Sequence, residues 1–335
     1  MNFESDNASP AHPAVLEAVA RANVGPMASY GEDVIMARVA ARVREIFEAP
    51  EAAVYLVSTG TAANALSIAS CCPPWGAVFC HAEAHVEIDE CGAPEFYTGG
   101  AKLRRIGGDH GKLAPEALER AIAEIPAPDV HSVQRGMVSL TNVTEAGTVY
   151  APDEVAALTA VAKRCHLPCH MDGARFANAL ASSGATPAEM TWKAGIDVLS
   201  FGGTKNGLLG AEAVVLFDPA RAWEFELRRK RGGHLWSKHR YLSAQFEAYL
   251  EDGLWLEMAR TANARAASLA SKLDALPFAS LLHPVEANII FAELPRARHR
   301  AAMAGGAGYR LTASSPQSLE GPGEEPLAAR LVCSW

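Results

Sequence analysis

Several features are scarce or absent in this sequence of 335 residues, and each absence excludes a class of protein. No apolar run approaches the ~18 residues that a membrane-spanning helix needs. The segment from Met1 to Asp6 has neither a basic start nor an apolar stretch, so we expect no signal peptide. Positive charge is not in excess: the formal net charge of −8 argues against nucleic acid or an anionic membrane as the main partner.

Cysteine is infrequent, and cofactor motifs built on cysteine or glycine are missing. The seven cysteines are scattered through a chain too long to depend on disulfides, which indicates reduced thiols and a cytoplasmic location. Cys165, Cys169 and His170 lack the spacing of a haem attachment, and no further ligands complete a zinc site, so we expect no metal. No G-x-G-x-x-G follows a predicted strand, which argues against a nicotinamide dehydrogenase.

Apolar runs typical of strands alternate with helical patterns along the first two thirds of the chain. The predicted strands span residues 53–57, 77–80, 103–106, 137–140, 168–171, 198–201 and 213–217. Helical patterns lie between them, as at residues 115–125 and 152–165. This alternation predicts an α/β fold with a mostly parallel central sheet and helices on both faces. Ligand sites in such sheets lie at the carboxyl ends of the strands.

The remaining patterns predict a large domain followed by a small one. An early helix is indicated by an apolar stripe at every fourth residue, namely Ile35, Val39, Val43 and Phe47. Later patterns predict long helices over residues 223–250 and 253–276 and a strand over residues 288–293. We therefore expect a large domain over residues 1–250, with an N-terminal arm over 1–30, and a small C-terminal α/β domain over 251–335. Residues 305–326 are rich in Gly, Pro and Ser, and no regular structure is predicted there.

Two of the predicted strands end in residues that suit one chemistry. Asp172 ends one strand, although such an aspartate alone is equally well explained as a helix N-cap. Lys205 follows Gly202-Gly203-Thr204 after a later strand, although a loop lysine alone is usually a solvated charge. In an open parallel sheet both strand ends face the same crevice. An amine that forms a Schiff base and a carboxylate that keeps a pyridine nitrogen protonated are what pyridoxal-phosphate chemistry requires.

A phosphate group would need a separate cradle, and the turn at residues 58–61 offers one. Ser58-Thr59-Gly60-Thr61 precedes an Ala-rich helix, so it combines hydroxyl donors, a permissive glycine backbone and a helix N-terminus. The alternative is an ordinary helix cap, which is the better explanation when the turn is considered alone. Together with Asp172 and Lys205, phosphate binding becomes the favoured interpretation.

The sequence resembles the low-specificity L-threonine aldolases, which are pyridoxal-phosphate (PLP) enzymes of the aspartate-aminotransferase fold, fold type I. The resemblance covers nearly the whole chain. It lies in Ser5-Asp6-Asn7, Ser29-Tyr30-Gly31, Thr59-Gly60-Thr61-Ala62-Ala63-Asn64, Ala84-His85, His170 to Arg175 and Gly203-Thr204-Lys205. The Asp-Gly-Ala-Arg motif that starts at Asp172, with the lysine downstream, is the most specific part.

This resemblance implies a cofactor site. Lys205 would be the Schiff-base lysine and Asp172 the partner of the pyridinium nitrogen. Gly60 and Thr61 would bind the phosphate, and His85 would stack on the cofactor ring. Thr204 replaces the serine of many relatives, a change that keeps the hydroxyl group.

The same resemblance implies substrate contacts. His131 would lie near the side-chain hydroxyl of the substrate, and Arg175 beside the cofactor and the substrate carboxylate. Ser5 and Arg330 match the family's other carboxylate contacts. The chain stops at Trp335, where relatives continue, so we expect an incomplete small domain and an uncertain role for Arg330.

Three residues would act between subunits. Tyr30 matches a residue that the family lends across the subunit interface, and Lys230 and Lys238 would reach a neighbour's phosphate. The resemblance implies a homo-oligomer, a tetramer built as a dimer of dimers, with active sites at the subunit interface. Each assignment has an ordinary alternative: His85 and His131 could be core or loop histidines, and the basic run 228–231 could be a solvated helix end.

The implied reaction is reversible cleavage of L-threonine, L-allo-threonine and related β-hydroxy-α-amino acids to glycine and an aldehyde. His85 or His131 would be the base that takes the hydroxyl proton. Two alternatives stay open. Another fold type I enzyme, a β-eliminating lyase or an aminotransferase, would use the same lysine and aspartate, and a non-catalytic protein of the PLP fold would keep the fold without the reaction.

Overall fold

The computed structural model describes residues 1–126, 128–312 and 319–335. Its strands are β1 (Ala53–Val57), β2 (Gly76–His81), β3 (Lys102–Ile106), β4 (Gln134–Thr141), β5 (Cys169–Gly173), β6 (Val198–Gly202), β7 (Glu212–Leu216), β8 (Ser280–Leu281), β9 (Ile289–Pro295), β10 (Arg310–Leu311) and β11 (Pro326–Val332). Its α-helices are α1 (Pro13–Ala22), α2 (Val34–Ile46), α3 (Gly60–Cys71), α4 (His85–Ile88), α5 (Ala93–Thr98), α6 (Pro115–Ala123), α7 (Pro152–Arg164), α8 (Phe176–Ser183), α9 (Pro187–Met190), α10 (Ala222–Arg231), α11 (Arg240–Leu250), α12 (Leu254–Asp274) and α13 (Arg296–Ala304).

Strands β1 to β7 form one large sheet within the described residues, in the order β1-β7-β6-β5-β4-β2-β3. The pairs β2/β3, β2/β4, β4/β5 and β5/β6 are parallel, and β7 runs antiparallel to both of its neighbours. The prediction of a mostly parallel central sheet is therefore confirmed. In the register of the sheet Thr141 lies opposite Asp172, and Asp172 lies opposite Ser200, so the carboxyl ends of β4, β5 and β6 meet at one edge.

Burial explains why these segments became strands. Every residue of β2, β5, β6 and β7 is buried, as expected when helices cover both faces of a parallel sheet. The helix predicted from the apolar stripe is α2, in which Ile35, Val39 and Val43 are buried. Phe47 follows as the C-cap, and its ring stacks on Phe176 with the ring centroids 5.8 Å apart.

A second sheet lies in the C-terminal part, with the antiparallel order β10-β11-β9-β8 among the described residues. It has its own apolar cluster, to which α12 contributes Ala266 and Ala270, while Trp255 and Met258 of the same helix belong to the core of the large sheet. One helix thus joins the two cores. The N-terminal residues pack on the second sheet, where Phe3 accepts a backbone hydrogen bond from Val332 at 2.8 Å.

Two predictions of secondary structure need correction. Residues 223–250 form two helices instead of one, because α10 ends before Gly232 and Gly233, and Gly233 has a φ of 78° that a helix cannot accommodate. The second correction concerns residues 305–326, for which no regular structure was predicted: they include the short strand β10. Residues 313–318 of that segment lie outside the described residues.

A helix that crosses a bilayer must be both long and apolar over its length. None of the helices among the described residues meets both conditions for crossing a membrane.

Candidate active site

One cavity of about 310 Å³ opens at the carboxyl edge of the large sheet, close to the smaller ligand sites of proteins in size. The residues that line it are Asn7, Ser58, Thr59, Gly60, Thr61, Asn64, His85, Asp172, Ala174, Thr204, Lys205 and Glu212. They come from turns that follow different strands and from the N-terminal segment. The structure therefore brings Lys205 and Asp172 to the same cavity, together with Gly60, Thr61 and His85.

Lys205 lies on a short 3₁₀ turn, Thr204–Asn206, between β6 and β7. Two hydrogen bonds hold this turn in place, because Asn206 donates to the Tyr249 hydroxyl at 2.9 Å and to the Trp255 carbonyl at 2.8 Å. Glu212 holds the residue before the turn, since its Oε2 accepts the backbone N–H of Gly203 at 2.7 Å. The lysine amine is thus carried by a rigid support and not by a mobile loop.

Glu212 adds a buried acid beside this lysine. Burial raises the pKa of its carboxyl group, and hydrogen bonds from Thr204 and Gly203 and the charge of Lys205 partly offset the increase. Glu212 therefore contributes both to the shape of the turn and to the charge balance of the cavity.

Asp172 is the penultimate residue of β5 and only 2% exposed. Its Oδ1 accepts the backbone N–H of Ala174 at 3.0 Å, and its Oδ2 accepts Asn64 Nδ2 at 3.0 Å. The alternative explanation as a helix cap does not apply, because the N-cap of α8 is Arg175, without a side-chain cap bond. A carboxylate held at the floor of a cavity is suited to hold a protonated ring nitrogen.

His170 precedes Asp172 by two residues on the same face of β5. Its ring nitrogens lie 2.9 Å from the Ser139 and Ser200 hydroxyls, so it links three neighbouring strands. Burial lowers the pKa of His170 to about 4, which keeps the ring neutral. It supports the strand and does not line the cavity.

The N-terminus of α3 forms one end of the cavity. Thr59 is its N-cap, with Oγ1 accepting the backbone N–H of Ala62 at 3.1 Å. Gly60 is the first helical residue, and a Cβ placed there would meet no atom within 4 Å, so open space faces the backbone. A helix N-terminus with free space in front of it is suited to bind a phosphate.

His85 begins the short helix α4 and lines the cavity. Its Nδ1 lies 2.8 Å from Glu90 Oε1, and this hydrogen bond raises the pKa of the imidazole, against the opposing effect of burial. The charges of Asp172 and Glu145 act in the same direction as Glu90, and Lys205 opposes them. The contact with Glu90 therefore holds the imidazole ring in a fixed place at the cavity.

Arg175 forms a buried ion pair with Asp6 next to the cavity. Its Nε and Nη2 donate to the two oxygens of Asp6 at 2.7 and 2.9 Å, and Asn288 donates to the same carboxylate at 3.1 Å. Arg330, on β11, is half-buried, and both burial and the charge of Arg175 lower its pKa. Because the charge of Arg175 disfavours a second cation at Arg330, an anion between the two guanidinium groups would be favourable.

Ser5 is the N-cap of the 3₁₀ turn Asp6–Ala8, where its Oγ accepts the backbone N–H of Asn7 at 3.1 Å. Arg330 reaches the same segment, since its Nη2 donates to the Glu4 carbonyl at 3.5 Å. Ser5 thus belongs to the N-terminal segment whose Asn7 lines the cavity, and Arg175 and Arg330 both form hydrogen bonds to that segment.

The structure does not bring His131 to the cavity. His131 is exposed and lies three residues before β4, whose first residue, Gln134, pairs with Gly76 at the start of β2. This is the amino edge of the sheet, whereas the cavity lies at the carboxyl edge. Within a single chain β4 lies between His131 and the cavity, and the contact of His131 with the substrate stays a prediction.

Tyr30, Lys230 and Lys238 are also outside the cavity of a single chain. Tyr30 is 46% exposed, and Lys230 Nζ lies 4.4 Å from the centre of its ring, a cation–π contact on the surface. Lys238 is exposed as well. Their predicted roles concern a neighbouring subunit.

Several residues of the site carried no individual assignment from the sequence. Asn7 and Asn64 belong to motifs that define the family resemblance, so a signal for them existed. Glu90 and Glu212 gave none, because nothing in the neighbouring sequence distinguishes them from other acids. Their partners come from elsewhere in the chain, as with Asn64, which donates to Glu90 Oε1 at 2.8 Å.

A mostly parallel sheet, with a lysine and an aspartate that converge at its carboxyl edge, defines the class: the fold is that of the PLP-dependent enzymes of fold type I. More specifically, the chain belongs to the beta-eliminating lyase family, whose family model matches residues 2–296.

Individual proteins are similar to this chain over nearly its whole length. The chain is 43% identical to a low specificity L-threonine aldolase of Pseudomonas sp., over 99% of this chain and 92% of that protein. It is also 43% identical, with the same coverage, to a low specificity L-threonine aldolase of Pseudomonas aeruginosa. Among solved structures, a threonine aldolase of Leishmania major superposes with a TM-score of 0.91 at 29% identity, over 100% of this chain and 94% of the other.

Proposed function

We propose that this protein is a PLP-dependent aldolase that reversibly cleaves L-threonine, L-allo-threonine and related β-hydroxy-α-amino acids to glycine and an aldehyde. The observation that carries the proposal is the convergence of Lys205 and Asp172 in one cavity, with the N-terminus of α3 at its end. The names of the relatives, at 43% identity over nearly the whole chain, support the same activity.

The residues present fit pyridoxal phosphate as the cofactor. Lys205 would hold its aldehyde carbon, Asp172 its ring nitrogen, His85 one face of the ring, and Gly60 with Thr61 its phosphate. The open space in front of Gly60 is large enough that a Cβ there would meet nothing within 4 Å, which is consistent with a bound group. The cofactor supplies an electrophilic carbon for the substrate amine and a ring that accepts an electron pair.

The chain's own residues then orient the substrate. Arg175, with Ser5 and Arg330, would bind the substrate carboxylate, and Asp6 keeps the Arg175 guanidinium in place. Holding the carboxylate fixes the rotation of the substrate about its Cα, which decides which bond is cleaved. His85 would accept the proton of the β-hydroxyl group, since it is the titratable imidazole that lines the cavity.

The assembly proposed here is a homotetramer, a dimer of dimers, in the cytoplasm, with a role in amino-acid and glycine metabolism. Tyr30 would enter a neighbour's active site, and Lys230 and Lys238 would approach its cofactor phosphate. The exposure of Tyr30 and of both lysines in a single chain supports such contacts.

Two further functions fit the same lysine and aspartate: another fold type I activity, β-elimination or amino transfer, and cofactor binding without catalysis. Purified protein incubated with L-threonine distinguishes them. An aldolase releases acetaldehyde and glycine, an aminotransferase requires a keto-acid acceptor, and a non-catalytic protein releases nothing.

The decisive test is the substitution Lys205→Ala. We expect the visible absorbance of the bound cofactor and threonine cleavage to be lost together, because both need the amine. Lys193→Ala is the matched control: Lys193 lies on the surface, paired with Glu48, so both signals should persist. Full activity of the Lys205→Ala enzyme would contradict the proposal, as would a wild-type spectrum without a visible band that changes when glycine is added.

A further inference from the structure

Glu90 is a buried carboxyl group with no place in the reaction as derived so far. Its side chain is fully buried in the bend that follows α4. Its Oε1 accepts Asn64 Nδ2 at 2.8 Å and lies 2.8 Å from His85 Nδ1, whereas its Oε2 has no hydrogen-bond partner among the described residues. An incompletely paired buried carboxyl group is costly for the fold, so its retention points to a role at the site.

His85 has two carboxyl groups within reach, and the geometry decides between them. Glu90 Oε1 is at hydrogen-bond distance from Nδ1, but Asp89 Oδ2 is 3.7 Å from Nε2, beyond a hydrogen bond. Asp89 is also 82% exposed, so water screens its charge. Glu90 is therefore the group that orients the imidazole ring.

The proton of this contact is placed by the hydrogen-bond inventory. Asn64 Nδ2 can only donate, and it donates both to Asp172 and to Glu90. Burial raises the pKa of the Glu90 carboxyl group, whereas the hydrogen bonds with His85 and Asn64 lower it. When Glu90 is ionised it can only accept, so its contact with His85 then requires an N–H at Nδ1. In the neutral ring the lone pair is then at Nε2, as for other histidines whose second nitrogen is fixed by a carboxylate.

We propose that Glu90 is a positioning residue for His85: its carboxylate holds the proton at Nδ1, so that Nε2 is the atom that takes the proton of the substrate's β-hydroxyl group. The inference rests on the proposed function. In this step the O–H bond breaks and a bond forms between the proton and Nε2. The electron pair left on oxygen becomes the second C–O bond of the aldehyde as the Cα–Cβ bond breaks, and the electron pair of that bond stays with Cα, which becomes the glycine carbon. Glu90 then balances the charge of the imidazolium.

The chain Asp172–Asn64–Glu90–His85 also links the floor of the cavity with its wall. One amide group bridges two carboxylates, so Asn64 fixes the distance between them. The charges that face His85 are Glu90, Asp172 and Glu145, which raise its pKa, Lys205, which lowers it, and the exposed Asp89, 3.7 Å from Nε2. The hydrogen bond to Glu90 is the largest contribution to the pKa of His85. Removal of this one charge should therefore change the titration of His85 more than any other substitution around it.

The kinetic test uses Glu90→Gln, which keeps an acceptor oxygen and removes the charge. We expect kcat/KM for L-threonine to fall about a hundredfold, at the lower end of the range of general-base contributions, while KM changes little. The acid limb of the pH profile should move to lower pH, because the imidazole loses the charge that stabilises its protonated form. The visible absorbance of the cofactor should persist.

Glu87→Gln is the matched control, because Glu87 lies on α4 together with His85 but does not pair with it. The partner of Glu87 is Arg105, at 3.5 Å. Its pH profile should match that of the wild-type enzyme. If Glu90→Gln also matches the wild-type enzyme, the inference fails although the aldolase reaction stands. If Asp89→Asn shifts the acid limb more than Glu90→Gln does, Asp89 is the orienting group and the inference is equally overturned.

A second measurement does not depend on activity. In ¹⁵N NMR spectra of histidine-labelled protein, the signal of His85 is assigned by its loss in His85→Asn. We expect the Nδ1–H form in the wild-type protein and its loss in Glu90→Leu, which removes the acceptor. An Nε2–H form in the wild-type protein, as a protonated Glu90 would produce, overturns the inference, even for a protein that does not cleave threonine.

Discussion

Among single residues, Asp6 shows how opposite charges are paired in the buried part of the site. Burial alone would raise the pKa of its carboxyl group, but Arg175 and then Lys205 bring it below its ordinary value, so the group is ionised at neutral pH. The bonds to Asp6 use Nε and Nη2 of Arg175 and thereby turn the Nη1 side of the guanidinium away from Asp6. A fixed guanidinium of this kind binds a carboxylate with little loss of entropy.

The substitution Asp6→Asn tests this arrangement, because it keeps the shape and removes the charge. Removing one partner of a buried ion pair costs about 3–5 kcal/mol, so we expect a lower melting temperature. We also expect KM for L-threonine to rise about tenfold, because a displaced Arg175 holds the carboxylate less well. Thermal unfolding and steady-state kinetics measure the two effects, with Glu4→Gln, at an exposed pair with Arg310, as the control. An unchanged melting temperature would refute the role of the pair.

The sequence identified those site residues that end predicted strands. Lys205 and Asp172 could be predicted because a strand end followed by a turn locates a side chain at the edge of the sheet, and the structure brings both to the cavity. His131 was assigned from the family resemblance, although it precedes a strand and so lies at the amino edge. Glu90 could not be found, because its partner Asn64 is 26 residues away and only the folded chain brings them together.

At the scale of elements, the turn that carries Lys205 depends on the close approach of two strands. A Cβ at Gly202 would overlap the carbonyl oxygen of Ala174, which follows β5. A Cβ at Gly203 would come within 2.7 Å of the Ala211 carbonyl oxygen, which is also too close. The two glycines therefore allow β5, β6 and the turn before β7 to meet at the cavity.

Substitution of one of these glycines should displace the side chain of Lys205 although the lysine itself is not replaced. For Gly202→Ala we expect about 1–3 kcal/mol of lost stability from overpacking, and about tenfold weaker binding of pyridoxal phosphate. Gly210→Ala is the control, since a Cβ there would meet only the Ser58 carbonyl oxygen, at 3.6 Å. Titration of the cofactor-free protein, followed by the visible absorbance, compares the two variants. Equal affinities would mean that the turn tolerates the displacement.

The accuracy of the predicted elements follows from burial. The buried strands were predicted to within about two residues, because a strand covered on both faces is a continuous apolar run. β4 was predicted too short: it begins at Gln134, and the polar pair Gln134 and Arg135 hides its start. The helix predicted over 223–250 overlooked Gly232 and Gly233, because apolar periodicity continues on both sides of the break.

For the whole molecule, the surface of a single chain contains large apolar side chains that water does not favour. The most exposed aromatic ones are Phe96, Trp223, Trp75, Tyr30 and Trp236, at 79%, 68%, 64%, 46% and 42% exposure. Contiguous patches of exposed apolar groups, unlike single scattered ones, are typical of contacts between proteins. Tyr30 is one of these exposed side chains and lies against Lys230, so two of the three residues with predicted roles between subunits lie together on the surface.

A mixing experiment tests whether two chains share one active site. If Lys230 of one chain serves the cofactor of its neighbour, Lys205→Ala and Lys230→Ala should each be impaired alone. When the two variants exchange chains, each mixed dimer contains one chain with Lys205→Ala and one with Lys230→Ala. In a two-fold dimer, one of its two sites then has both lysines and the other has neither. Random pairing then restores about a quarter of the wild-type activity, since half of the dimers carry one intact site out of two. The same mixture kept without chain exchange is the control, and full activity of Lys230→Ala alone, or no recovery after exchange, would contradict a shared site.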